Sequence, residues 1–130
     1  MEIALRAALL DWLRTAPTPI AELNLVDEQE TGRASMPWLA LVASASTDWS
    51  AKDRQGREVR AAFELNHRGD QVAALADTIA AIEGRVLALP PAQPGFTVVT
   101  TRFLRARSER RANNVRATLV EFAFRCLASG

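Results

Sequence analysis

FTVVTTRFLRAR (96–107), SERRAN (108–113) and NVRATLVEFAFRCL (114–127) decide the architecture of this chain. The two outer segments alternate apolar and polar residues, the period-2 pattern of a half-buried β-strand. The middle segment is short, polar and basic, so the three together predict a C-terminal β-hairpin. Its strands exceed the usual strand of about five or six residues. Val120, Phe122, Phe124 and Cys126 share one face of the second strand; Leu119, Glu121, Ala123 and Arg125 share the other. The aromatic face is expected to meet helices. Six arginines lie between Arg102 and Arg116, so the hairpin reads as a two-stranded arm whose surface meets a partner.

Working back toward the N-terminus, residues 71–83 carry Val72, Leu75, Ala76, Ile79 and Ile82 at helical spacing. The segment predicts a helix from Gln71 to Glu83, with Asp70 as N-cap and Gly84 as C-cap. Pro90 to Gly95 follows as a stiff surface connector. Before the helix, Arg57 to His67 alternates as a strand with Val59, Ala61, Phe63 and Leu65 inward. Pro37 to Ala43 is a compact apolar strand, Ser44 to Gln55 a polar loop, and Asp27 to Ser35 an acidic loop. Ile20 to Val26 holds at most a brief strand. The chain opens on a helix from Glu2 to Arg14 with Leu5, Leu9, Trp12 and Leu13 in one stripe. Thr15-Ala16-Pro17-Thr18-Pro19 stops it, because proline cannot continue a helix. Helix, strands, helix and hairpin in that order predict an α+β fold, a mostly antiparallel sheet with two helices packed on one face.

The chain has 130 residues, which predicts one domain spanning 1–130. Net charge is +1, with 24% charged and 48% hydrophobic residues, an ordinary globular balance. Lys52 is the only lysine, so the positive charge is almost all arginine. Arginine is favoured at interfaces, although a GC-rich genome gives the same bias. One cysteine, Cys126, allows no intrachain disulfide, which fits a reducing compartment. No apolar run approaches the roughly 20 residues that span a bilayer, and the charged N-terminus is unlike a secretory signal. No membrane partner is expected.

No obvious catalytic constellation is present. His67, the only histidine, ends a strand and reads as a surface residue. A zinc site needs about four ligands, and one histidine with one distant cysteine do not supply them. The glycines form no phosphate loop. Neither enzymatic activity nor a cofactor is therefore expected. The candidates for function are arginines at the hairpin tip: Arg105, Arg107, Arg110 and Arg111, offset only by Glu109. They are open to three readings: phosphate contact with nucleic acid, ion pairing with a neighbouring subunit, or a solvated tip. No aromatic interleaves with them to stack bases. Trp49, in a polar stretch with Lys52 nearby, either caps the core or enters an interface, while Trp12 and Trp38 sit at the core edge. Asp27, Glu28 and Glu30 read as a solvated acidic loop cluster, and are also positions with which a neighbour's arginine hairpin can pair.

The stretch Ala4-Leu5-Arg6-Ala7-Ala8-Leu9-Leu10-Asp11-Trp12-Leu13-Arg14 resembles the opening helix of the tail completion, or tail terminator, proteins of long-tailed bacteriophages, prophages and gene transfer agents. Pro37-Trp38-Leu39 is similar to a strand of that family, as is Asp48-Trp49-Ser50-Ala51-Lys52 followed by Gly56-Arg57-Glu58. Gln71 to Asp77 resembles its second helix. Phe103 to Arg107 and Val115 to Arg125 resemble its last hairpin. The likeness covers nearly the whole chain in order. It implies an α+β subunit of a hexameric ring that caps the head-proximal end of a tail tube, stops its polymerisation and joins the head connector or stopper. DNA passes through such a ring only as cargo. The implied partners are further copies of the chain, the major tail tube protein and the connector. The implied location is the tail neck of a virion or phage-like particle, assembled in the bacterial cytoplasm.

Overall fold

The computed structural model describes residues 1–28, 35–70 and 72–129. Helix α1 spans Glu2–Arg14, a short 3₁₀ turn spans Ile20–Glu22, and helix α2 spans Val72–Leu87. The strands are β1 (Val26–Asp27), β2 (Trp38–Asp48), β3 (Gly56–Arg68), β4 (Ala92–Gln93), β5 (Phe96–Arg111) and β6 (Val115–Ala128). They form one sheet in the order β1-β2-β3-β6-β5-β4, antiparallel throughout except for the β1–β2 pair. The class is α+β, as the patterning predicts.

Both helices cover the same sheet face. Leu5, Leu9 and Leu13 of α1 and Leu75, Ile82 and Val86 of α2 join Val59, Phe63, Leu65, Val120, Phe122, Phe124 and Cys126 in one buried cluster. The expected aromatic face of β6 is the inner face, and its phenylalanines meet edge-on or tilted: Phe63 of β3 lies 6.1 Å from Phe122, and Phe122 lies 6.3 Å from Phe124. Burial pushes the Cys126 thiol up to about 11, so it behaves as a small hydrophobe.

The structure corrects the sequence reading in several places. Helix α2 continues past Gly84 to Leu87. Val86 extends the apolar stripe one turn beyond Ile82, both fully buried, and Gly84 faces open space. Burial of the next stripe position outweighs the helix cost of a glycine, about 1 kcal/mol. Ser44 to Asp48 is not loop but the second half of β2. Its serines are polar because they serve α1: the Ser44 hydroxyl donates to Glu2 Oε2 at 2.6 Å and accepts from Arg6 Nη1. The segment from Ile20 to Val26 folds as the 3₁₀ turn and then β1, and the proline connector carries β4, which pairs with β5 at Thr97 and Phe96.

His67 is buried at 3% exposure, against the surface role expected of it. It follows Leu65 by two and therefore shares its inward face. Its Nε2 lies 3.2 Å from Thr118 Oγ1, and Thr118 Oγ1 lies 2.9 Å from Ser108 Oγ. The hairpin is also tighter and less isolated than expected. Its strands run on to Arg111 and Val115, leaving Ala112 to Asn114 as the turn. Asn113 and Asn114 both take positive φ, 60° and 59°, which asparagine tolerates better than most residues. Strand β3 accompanies β6 up to the Arg68–Val115 pair, and Gly69 N–H donates to Asn114 O at 2.8 Å. The predicted two-stranded arm is thus the end of a sheet at least three strands wide.

Gly56 opens β3 at the opposite end, where a Cβ would stand closer than 3.0 Å to Trp49 O, Leu127 Cδ2 and Cys126 O. Two of these are backbone atoms. Gly56→Ala is expected to cost roughly 1–3 kcal/mol by overpacking, read as a lowered urea midpoint.

Candidate assembly interface

Among the described residues no helix packs on the outer sheet face, and β-strand alternation places its charges there. Arg102, Arg105, Arg107, Glu109 and Arg111 of β5 stand beside Glu121 and Arg125 of β6 and Glu58, Arg60 and Glu64 of β3. Several pair within the sheet. Arg105 donates to both carboxylate oxygens of Glu121, its direct cross-strand partner, at 2.8 and 3.2 Å. Arg111 reaches across β6 to Glu64 at 2.8 and 3.1 Å and also donates to Glu109 at 2.8 Å. Glu58 lies 3.9 Å from Arg102 and 3.8 Å from Arg125. Exposed pairs of this kind are worth about 0–1 kcal/mol each. They hold long side chains in place more than they stabilise the fold.

The Glu64–Arg111 pair is the most enclosed of these. Burial alone pushes the Glu64 carboxyl up, but hydrogen bonds from Arg111 and Asn66 together with the Arg111 charge outweigh it and leave the carboxyl below 4.5. A depressed carboxylate contributes stability that is fully present above its unfolded value and lost as pH falls through its folded value. Glu64→Gln is therefore expected to flatten the loss of stability as pH drops below 4.5. Denaturant midpoints measured at stepped pH check this. A variant curve parallel to that of the wild type contradicts it.

The four tip arginines thus divide. Arg105 and Arg111 are committed to carboxylates of their own subunit. Arg107 and Arg110 make no ion pair among the described residues and are exposed. The four look alike in the sequence because the partners, Glu64 and Glu121, come from other strands. The register Arg105–Glu121 would have separated them.

The remaining candidates lie elsewhere. Asp27 and Glu28 stand at the far edge of the sheet, where Asp27 meets Arg14 at 3.5 Å and Glu28 meets Arg6 at 3.1 Å. Glu30 lies outside the described residues, with the rest of 29–34, as does Gln71. Trp49 and Lys52 occupy the β2–β3 turn, at the end of the sheet opposite the arginine tip. Trp49 is half-buried, with the Arg125 guanidinium 5.4 Å from its ring centroid, and Lys52 is exposed. Trp38 is buried. Trp12 donates its indole N–H to Arg85 O at 2.6 Å, with the Arg85 guanidinium 3.4 Å above its ring. The structure brings the proposed contact residues to three separate places, not to one pocket.

A groove of about 580 Å³ lies between α1 and the β4 segment, lined by Ala4, Ala8, Trp12, Leu89, Pro90 and Phe96 among others. It is apolar and gathers no set of convergent polar groups. Among the described residues no cluster of His, Cys, Asp or Glu suits a metal ion. No described helix is long and apolar enough to cross a membrane.

Residues 7–128 match the family described as tail completion protein gp17. In a solved structure titled "Virion of native gene transfer agent (GTA) particle", one chain is similar with a TM-score of 0.81 and 21% identity, over 97% of this chain and 96% of that chain. No curated protein sequence matches the chain.

Proposed function

The chain belongs to the tail completion protein gp17 family, and on that premise we infer that it is a structural ring subunit closing the head-proximal end of a phage-like tail. Several copies, hexameric by resemblance, cap the tail tube, stop its polymerisation and present a face to the head connector or stopper. DNA passes the bore as cargo, and no bond is made or broken. The match over residues 7–128 carries this reading. The similarity of fold to a chain of a gene transfer agent virion supports it, and the place this reading gives the chain is the neck of such a particle.

The geometry suits such work. A ring repeats one heterologous contact around an axis, so a subunit needs two different complementary surfaces. This one has a basic edge at β5 and, on the other side of the sheet, an edge carrying Asp27 and Glu28. Near-zero net charge, +1, lets copies gather without strong mutual repulsion. The interface set proposed here is Arg107 and Arg110 as the available cations, with Arg105 and Arg111 as pre-positioned neighbours. Asp27, Glu28 and Glu30 are the acidic counterparts, and Trp49 and Lys52 form a second contact at the opposite end. Mass photometry of the chain mixed with its tail tube protein is expected to show a species near six subunits bound to tube ends. A chain that stays monomeric and never binds the tube contradicts the reading.

A further inference from the structure

We propose that neighbouring subunits join through their sheets, the open edge of β5 in one copy pairing antiparallel with the open half of β2 in the next. This rests on the ring reading above and adds the contact that would build the ring.

The sheet ends in two stubs. β1 covers β2 only at Leu39 and Ala40, and β4 covers β5 only at Phe96 and Thr97. Among the described residues, no strand pairs with the outer side of β2 from Ala43 to Asp48 or of β5 from Val99 to Arg111. Unpaired edges of such length template further pairing. Irregularities break them at Val42, Val99 and Leu104. The longest regular stretches left, Ala43–Asp48 and Arg105–Arg111, are close in length, six and seven residues. Among the described residues five large hydrophobic side chains are exposed, and three lie on these two strands: Val42 at 44%, Val99 at 48% and Phe103 at 40%.

Strand sense agrees. β5 runs toward the hairpin tip and β2 runs away from that end. A rotation about an axis lying roughly along the sheet keeps both senses, so β5 meets the next β2 antiparallel. Size and charge agree too. Outward-facing Ala43, Ala45 and Thr47 leave room for the long side chains of Arg105, Arg107 and Arg111. Nothing on β2 from Ala43 to Asp48 is cationic. The neighbour's β1, with Asp27 and Glu28, begins just beyond the paired half of its β2. The tip of β5, with Arg110 and Arg111, arrives there.

The offset supplies an independent check. Ala43–Asp48 lies level with Arg57–Ala62 of β3, whereas Arg105–Arg111 lies level with Ala62–Arg68. Joining them shifts each copy along the strands by five to six residues, roughly 18 Å. Each copy adds four long strands, β2, β3, β6 and β5, about 19 Å across at the usual strand spacing. The strands therefore slope about 45° to the ring axis, close to the tilt of closed β-barrels.

The test uses Ser46→Cys with Ala106→Cys in one chain, small changes on the helix-side face of the two edges. The variant is mixed with tail tube protein and treated with a short bis-maleimide that tolerates a shift of one residue pair. Denaturing gels are expected to show a ladder beyond two linked chains, which neither single variant produces, and its top rung counts the ring. If mass photometry shows rings but no ladder forms, edge pairing is overturned and the ring reading stands. If a ladder forms without binding to tubes, edge pairing stands and the tail role fails. If the wild type never associates, both fall. Hydrogen exchange on the wild type needs no variant: assembly is expected to protect the amides of 43–48 and 105–111 at least tenfold. Unchanged exchange there overturns the proposal.

Discussion

Phe122→Ala is expected to lower stability by roughly 3–5 kcal/mol, the usual cost of truncating a fully enclosed phenylalanine. Phe122 has no exposed surface and is the hub of the aromatic cluster, with Phe63 at 6.1 Å, Phe103 at 5.9 Å and Phe124 at 6.3 Å. It sits on β6, the central strand pair partner of both β3 and β5. The cavity would therefore open between the sheet and its helices, where the backbone cannot collapse to fill it. Such a loss is a large part of the roughly 5–15 kcal/mol that holds a domain folded. The variant should fail by misfolding, not by selective loss of partner binding. Urea denaturation checks the magnitude, and a cost below about 1 kcal/mol would mean that the aromatic face is not the core.

The second large effect is on assembly. A chain carrying Arg107→Glu and Arg110→Glu should keep the wild-type denaturant midpoint and bind its own copies or the tube at least tenfold more weakly. Both side chains are exposed and without an ion pair among the described residues, so their loss removes nothing from the fold. Reversed charges facing an acidic edge are expected to cost several kcal/mol of binding, about the usual penalty for like-charge contacts. Arg105→Glu with Arg111→Glu is the contrasting pair. It places new carboxylates against Glu121, Glu64 and Glu109 and should lower the midpoint as well. Sizing and denaturation of both doubles separate the two roles. Equal midpoints would mean that the internal pairs add nothing to the stability of the fold.

Elements governed by periodicity were legible in the sequence. The first helix, the β3 strand and the long hairpin follow from spacing alone, because each buries one face continuously. Elements governed by a distant partner were not. Ser44 and Ser46 look like loop residues until α1 supplies Glu2 and Arg6 as their hydrogen-bonding neighbours. Gly84 looks like a helix end until Val86 is seen buried one turn further on. His67 was within reach of strand parity, since Leu65 already fixed the inward face. The tip arginines were found as a cluster, but their division into paired and unpaired side chains depends on strand register. That register sets Glu64 and Glu121 opposite them, and composition carries no trace of it.

In the proposed role this subunit closes a tube, and electron microscopy of tails assembled with and without the chain reads that role at its site. With the chain, tubes of uniform length bearing a ring at the head-proximal end are predicted, and without it, tubes of uncontrolled length that join no heads. Tubes of the same length in both, with no density for the chain at the neck, would contradict it.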